Sequence, residues 1–536
     1  MITPFTDLLK RMRTLPNHIS PAAYDTAWVA WLYPEALEWL LDAQRPDGSW
    51  GAELEYYCDR VVSTLAAINA IAAVSTNGHH LKRVEAGIQY LEKAIPHLGQ
   101  DVFETVGFEL LLPNLVDIAR SLGLKVERIK TLIEPLRPLY LKKLSLIPNQ
   151  VIYSPRVVVA HSLEFLNFDT LDHAAVANLR SINGSIHNSP SATAFVEVAG
   201  GGSTEGRAYL ERVVNRYNGA APGFTPLELF EIIWILHHLS LNVNLNSLRP
   251  DVEPFVHLVA SVWKERGVGF STTFVPDPDD TSLALRLFGK LGVYWDPGVL
   301  ELYEKEDHFQ CFPLERDISL DVHIHIVHAL KTVPHFPRRD DMLLKALNTL
   351  GRYLTTDYIV DKWHVSPYYS TSHAVIGLIG LADTIIAPQI GWLLKTQRDD
   401  GSWTFYPACP NAAVEETAYV LMALMTVYEK RGDIPFTAIE RGFRYLVDHY
   451  TRAEDLPALW IHKGLYNPYR IVEAVILSTI AKFQTLSRRP PATSFLPPHK
   501  KHPLAPQAGV VRRQSGPAVS VDPNSPPRTP PQEGED

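Results

Sequence analysis

Apolar residues recur at three- and four-residue spacing along most of this chain, most clearly over 34–44, 61–74, 227–241, 417–428 and 469–482. That spacing lays one apolar stripe along an α-helix. Strand-like alternation is scarce, and the β-branched run Val157-Val158-Val159 passes directly into the helical pattern Ala160-His161-Ser162-Leu163-Glu164. The pattern predicts an all-α body. Within it an element repeats: Gln44-Arg45-Pro46-Asp47-Gly48-Ser49-Trp50 recurs as Gln397-Arg398-Asp399-Asp400-Gly401-Ser402-Trp403, with a weaker echo at Asn183-Gly184-Ser185-Ile186. Each strong copy follows a Trp-Leu-Leu segment, at Trp39 and at Trp392. The reading is a helix end, an Asp-Gly turn, and a tryptophan folded back onto the neighbouring helix. A single such unit cannot bury its own apolar face, so the repeat predicts a helical array or closed α-barrel and a structural role for the turn.

Length adds that 536 residues exceed one compact core, which predicts two or three domains. Hydrophobic residues make up 46% and charged residues 20%, so most of the chain should be globular. From about Leu486 to Asp536 the sequence turns rich in Pro, Ser, Arg and Gln, a composition that does not build a core. The net charge of -9 comes without a long acidic or basic block in the body, which argues against nucleic acid as the main partner. Cys58, Cys311 and Cys409 lie far apart with no CxxC pair, suggesting a reducing compartment and neither a disulfide framework nor a thiolate zinc site. The N-terminus lacks a signal-peptide pattern, and no uninterrupted apolar run suggests a bilayer span. A soluble, cytoplasmic protein without stable membrane insertion is expected.

The densest chemistry is Asp277-Pro278-Asp279-Asp280-Thr281, running into Ser282-Leu283-Ala284-Leu285. One reading is a helix start capped by Asp280 or Thr281, its acids favoured by the helix dipole. The other is a Brønsted acid site. Crowded carboxylates in a dry pocket resist ionising together, so one can hold a proton at neutral pH.

This DxDD segment, together with the DGSW turns, resembles the class II terpene cyclases. The resemblance covers most of residues 20–484 and extends to Ala23-Tyr24-Asp25-Thr26-Ala27-Trp28, Asp59-Arg60-Val61-Val62-Ser63-Thr64, Val106-Gly107-Phe108-Glu109, Ser189-Pro190-Ser191-Ala192-Thr193-Ala194-Phe195, Leu229-Phe230-Glu231-Ile232-Ile233-Trp234 and Asp361-Lys362-Trp363. It is strongest toward bacterial diterpene cyclases of the halimadienyl and kolavenyl (clerodane) type. It implies two (α/α) barrels, a γ domain over 20–250 and a β domain over 251–484 carrying DxDD. Residues 1–19 would pack on the β domain, and 485–536 would form the Pro-rich tail. The implied activity is that of an isomerase, protonation-initiated cyclisation of geranylgeranyl diphosphate with the diphosphate retained. A copalyl-type synthase and a squalene–hopene-type triterpene cyclase are the near alternatives. An (α/α)-barrel glycosidase with two carboxylates, or a noncatalytic prenyltransferase-like barrel, would leave the shared segments unexplained.

The resemblance assigns roles residue by residue. Asp279 would be the general acid toward the terminal alkene, supported by Asp277 and Asp280. His325 would hydrogen-bond and orient Asp279, with His323 a rival two residues away. His161 matches the base-side histidine of plant copalyl-type enzymes, but Gly223 stands where they have the partnering asparagine. That incomplete pair favours a rearranged halimane or clerodane skeleton. Lys143, Arg60 and Lys362 are candidates for binding diphosphate. Asp101 and Glu104 sit where the family has an acidic segment that would meet Mg2+ with the diphosphate. No DDxxD is present: Asp340-Asp341 is followed by Met342-Leu343-Leu344, and Asp399-Asp400 belongs to the turn. A separate phosphatase or diphosphate-removing synthase would therefore act on the product.

Overall fold

The computed structural model describes residues 2–14, 18–75, 78–354 and 356–488, so the Pro-rich tail lies outside the described residues from 489 onward. Helices dominate, and their packing closes two rings. In the second half, Glu228–Ser240, Pro278–Leu291, Leu320–Leu330, Pro367–Leu378, Ala412–Arg431 and Tyr469–Leu486 each pack on the next, and the last returns to the first. These inner helices are buried nearly all round; Ala412 to Met425 has no exposed residue. Outer helices bury one stripe. Phe436–His449 covers Ala438, Ile439, Gly442, Tyr445 and Leu446, the three-and-four spacing of an amphipathic helix. In the first half, Ala23–Val29, Tyr57–Val74, Phe108–Ser121, the 3-10 segment Val158–Phe165 and Pro190–Val198 close a smaller ring. The Val157-Val158-Val159 run thus enters a 3-10 turn rather than a strand.

The two cores divide earlier than 250. The first takes in residues up to Ala221 and is joined by Val365, Cys409, Ala412, Leu459, Ile461 and Leu465 from later in the chain, whereas Phe224 and the whole inward face of Glu228–Ser240 belong to the second. Periodicity marks a helix but does not say which ring it joins; this one is an inner stave of the second barrel. Phe5, Leu8, Leu9 and Met12 of the Ile2–Thr14 helix also pack on the second core. One described helix, Tyr57–Val74, is long and apolar enough to cross a membrane, but 78% of that window is buried as an inner wall of the first ring.

The repeated turns are superimposable in their bonding. Trp50 Nε1–H donates to the Leu40 carbonyl and Trp403 Nε1–H to that of Leu393, both at 2.6 Å. The Trp50 and Trp403 amides both donate to a threonine on the next inner helix, Thr64 and Thr417. Asn183–Ile186 repeats this geometry, with the Ile186 amide on Thr193 and Ser185 on Asn183. Gly48, Gly184 and Gly401 have φ of 92°, 91° and 92°, and a Cβ on Gly401 would lie 2.6 Å from the Arg441 carbonyl oxygen. Only glycine tolerates both conditions.

A small hairpin locks the barrels together. Trp460–Ile461 pairs antiparallel with Leu465–Tyr466. Its tip carries Lys463, fully buried in the first barrel, 2.6 Å from Glu164 and hydrogen-bonded to Ser189 and Ser191. Asp59, from the first ring, accepts the Leu465 amide. An aromatic-lined cavity opens beside this hairpin.

Candidate active site

The acid cluster is both a cap and a site. Asp277 is the N-cap of Pro278–Leu291: its Oδ1 accepts the amides of Asp279 and Asp280, each at 2.9 Å. Pro278, with its fixed φ, is the first helical residue. The cap is therefore Asp277, not Asp280 or Thr281. Asp280 points the other way, its Oδ1 accepting from Trp234 Nε1–H at 3.2 Å. That leaves Asp279, whose side chain is 16% exposed into the cavity and whose Oδ1 is 2.5 Å from His325 Nδ1. Burial first, and then the charge of Asp279, push the Asp277 carboxyl up to about 7. Burial together with Asp277 and Asp279 pushes Asp280 well above the ordinary carboxylate range. Around neutral pH the cluster is thus short of negative charge.

His325 has two partners. Its Nε2 lies 2.8 Å from His373 Nδ1, so the protonation of Asp279 and the tautomers of both rings are tied together. Burial holds His373 well below the ordinary histidine range. The rival His323 is occupied elsewhere, with Nδ1 on the Ser319 carbonyl and Nε2 accepting the Phe309 amide.

Asp279 opens into a cavity walled by Phe224, Phe230, Trp234, Phe270, Phe274, Tyr369, Trp460 and Tyr466, with His161 and His462 also lining it. The walls come from both barrels and the hairpin. Aromatic faces of this kind stabilise cations without offering them a base. The space continues past Val106, Val158, Ser162, Phe312 and Trp363 into a second, more polar chamber. There Lys143 pairs with Glu109 at 3.1 Å, Arg316 with Glu104 at 3.3 Å, and Lys362 with Glu315 at 2.6 Å. Burial lifts Glu104 to about 7 even against Arg316. At Glu109 burial also raises the carboxyl, but Lys143 and Arg316 outweigh it and hold it below its ordinary value.

Of the sequence-derived candidates, Lys143, Lys362 and Glu104 meet in this chamber. Arg60 and Asp101 do not. The Arg60 guanidinium is consumed by the first repeated turn, donating to Ser49, Asp47 and the carbonyls of Ala52 and Glu53. Asp101 accepts the amides of Tyr57 and Cys58 and so caps the Tyr57–Val74 helix. Arg316 and Glu109 were not picked out by sequence. Glu109 was visible within the Val106-Gly107-Phe108-Glu109 segment; Arg316 lies in an irregular loop that gives no periodic signal. For Mg2+, Asp101 is unsuited because both its oxygens are taken by backbone amides. Glu104 and Glu109 offer carboxylate oxygens at the chamber wall, enough for an ion that shares its shell with phosphates and waters.

Over 495 residues, 87% of this chain and 96% of the relative, the sequence is 33% identical to a Type B diterpene cyclase of Mycobacterium tuberculosis. The chain belongs to the class II diterpene cyclases. This cyclase is also 32% identical over 332 residues to ent-copalyl diphosphate synthase AN1 of Zea mays, spanning 39% of that longer protein. Among solved structures, the ent-copalyl diphosphate synthase of Streptomyces platensis matches with TM-score 0.70 and 24% identity, covering 90% of this chain and 99% of that one. That of Arabidopsis thaliana, solved with an aza-geranylgeranyl thiolodiphosphate, matches with TM-score 0.65 and 25% identity over 89% of this chain and 63% of that one. No protein-family model matches the chain.

Proposed function

We propose that this diterpene cyclase converts geranylgeranyl diphosphate into a bicyclic diterpenyl diphosphate of rearranged, kolavenyl or halimadienyl, skeleton. The observation that carries the substrate reading is the two-ended cavity: a dry aromatic chamber holding the Asp279–His325 pair joins a chamber with Lys143, Arg316 and Lys362. A long apolar chain with a diphosphate at one end fits both halves. Lys143, Arg316 and Lys362 bind the diphosphate, each exchanging part of its present carboxylate contact for phosphate oxygens. Glu104 and Glu109 would hold Mg2+ together with the diphosphate, and the ion would supply charge neutralisation there.

The terminal alkene then lies against Asp279. Its π electrons take the Asp279 proton, leaving a carboxylate beside His325 and a tertiary cation that successive alkenes close into two rings. Trp234, Phe230, Tyr369 and Trp460 shield the cation and exclude water. The diphosphate stays attached, because the candidate ionising acids face elsewhere: Asp340 and Asp341 are exposed and paired with Arg339 and Arg338, and Asp400 holds Ser402 in its turn. A phosphatase or diphosphate-removing synthase consumes the product. The enzyme works in the cytoplasm.

The test is incubation with geranylgeranyl diphosphate and Mg2+, then phosphatase treatment and mass spectrometry with NMR of the alcohol, run beside squalene. A clerodane or halimane alcohol is expected. A copalol would correct the skeleton, and turnover of squalene alone would overturn the reading.

A further inference from the structure

In the cavity that Asp279 opens into, two histidines 301 residues apart in sequence meet edge to edge. His161 Nε2 and His462 Nε2 are 2.7 Å apart, in rings crossed at 80°. Their protons can be placed by elimination. His161 Nδ1 is 2.7 Å from the His187 carbonyl oxygen, which can only accept, so Nδ1 carries hydrogen. In the neutral ring His161 Nε2 is then a lone pair, and the proton between the rings belongs to His462 Nε2. His462 Nδ1 is left as a bare lone pair, and it is buried with no hydrogen-bond partner.

Gly223 explains how this is possible. A Cβ on Gly223 would lie 2.6 Å from His462 Nδ1. Any side chain there would cover the lone pair or drive the ring out of place. With glycine at this position, the imidazole of His462 fills the room. Around the pair stand Phe224, Phe270 and Phe274, which bring no competing acceptor to the cavity. Lys463 is engaged by Glu164, and His187 faces Phe274. Burial and Lys463 hold both imidazoles of the pair well below the ordinary histidine range, so they meet the cation neutral.

We propose that His462, held by His161 and with its Nδ1 left unpartnered against Gly223, is the catalytic base that ends the reaction. A C–H bond next to the final cation breaks, its electron pair becomes the product's double bond, and the proton forms an N–H bond at His462 Nδ1. The new imidazolium is stabilised through Nε2–H to His161, whose own Nδ1–H rests on the His187 carbonyl. The base is thus a pair contributed by both barrels, and where it sits decides how far hydride and methyl shifts run before the cation is quenched.

This inference rests on the substrate reading above, and one experiment separates the two. Wild type, His462→Phe, His462→Gln and Gly223→Ala proteins are incubated with geranylgeranyl diphosphate. Substrate loss, dephosphorylated products and thermal melts are then compared. Wild type that consumes no geranylgeranyl diphosphate sinks the substrate reading. If it does consume it, each folded variant should turn over more slowly and make the wild-type product at least about tenfold more slowly. Most of the product should then move to hydroxylated or double-bond-shifted skeletons. Should His462→Phe fail to fold, Gly223→Ala and His462→Gln carry the same expectation. Wild-type product at wild-type rate from the His462 variants overturns the proposal, as does a folded His462 variant that consumes no substrate.

Discussion

Asp279 is available as an acid because its neighbours take the other duties of a helix start. Asp277 caps the backbone and Asp280 holds Trp234, while His325 alone holds Asp279. This division gives a pH dependence with a definite sign. Below about pH 4 the Asp277 carboxyl is neutral in both folded and unfolded chains and carries no penalty. Between that pH and about 7 the unfolded chain ionises while the folded one keeps its proton. Stability contributed by this group therefore falls as pH rises through that window. Thermal melts across that window should show the fall. Stability that does not fall between about pH 4 and 7 would contradict this.

The Asp279–His325 contact was legible from the sequence because both residues sit in compact motifs. His462 was not. Its partner lies on the other barrel, and no local pattern around Trp460-Ile461-His462-Lys463 announces it. Arg60 and Asp101 were misplaced for a related reason. Motif matching puts a charged residue in the right segment, but only the packed chain shows that a turn or a helix end has already used its charge.

At the scale of elements, the repeated turns are the joints of the barrels, and they were readable because a buried Trp, an Asp-Gly pair and a glutamine recur in order. Their cost of alteration is local. Gly401→Ala adds a Cβ at positive φ, 2.6 Å from the Arg441 carbonyl. It should destabilise the protein by about 2–3 kcal/mol in a denaturant or thermal melt, from left-handed backbone strain plus the displaced helix. The folded fraction should keep its product profile. A stability loss under about 0.5 kcal/mol would mean that the turn does not hold the neighbouring helix in place. The helix boundary between barrels was less legible. Leu227 to Leu241 is buried on nearly every side, as befits an inner stave, and its apolar spacing does not say which core it faces.

For the whole molecule, the cavity exists only while the barrels stay in register, and the hairpin at Trp460–Tyr466 maintains that. The Lys463–Glu164 pair is fully buried between them. Lys463→Ala leaves Glu164 uncompensated and should cost about 3–5 kcal/mol, with loss of activity as the walls separate. A double change to apolar residues of similar volume should recover much of the stability, and a melt series on the single and double variants would show it. Equal destabilisation by single and double variants would argue that the charges serve another purpose.

The central claim is that Asp279 delivers the proton that starts ring closure. It is tested most directly by Asp279→Asn, which keeps shape and a hydrogen bond to His325 but has no carboxyl proton to give. Cyclised product from geranylgeranyl diphosphate is measured in single-turnover and steady-state assays, beside a thermal melt that confirms folding. The predicted result is a folded protein slowed by at least ~10³-fold, with unreacted substrate recovered after phosphatase treatment. Cyclisation by folded Asp279→Asn at a rate near wild type would contradict it.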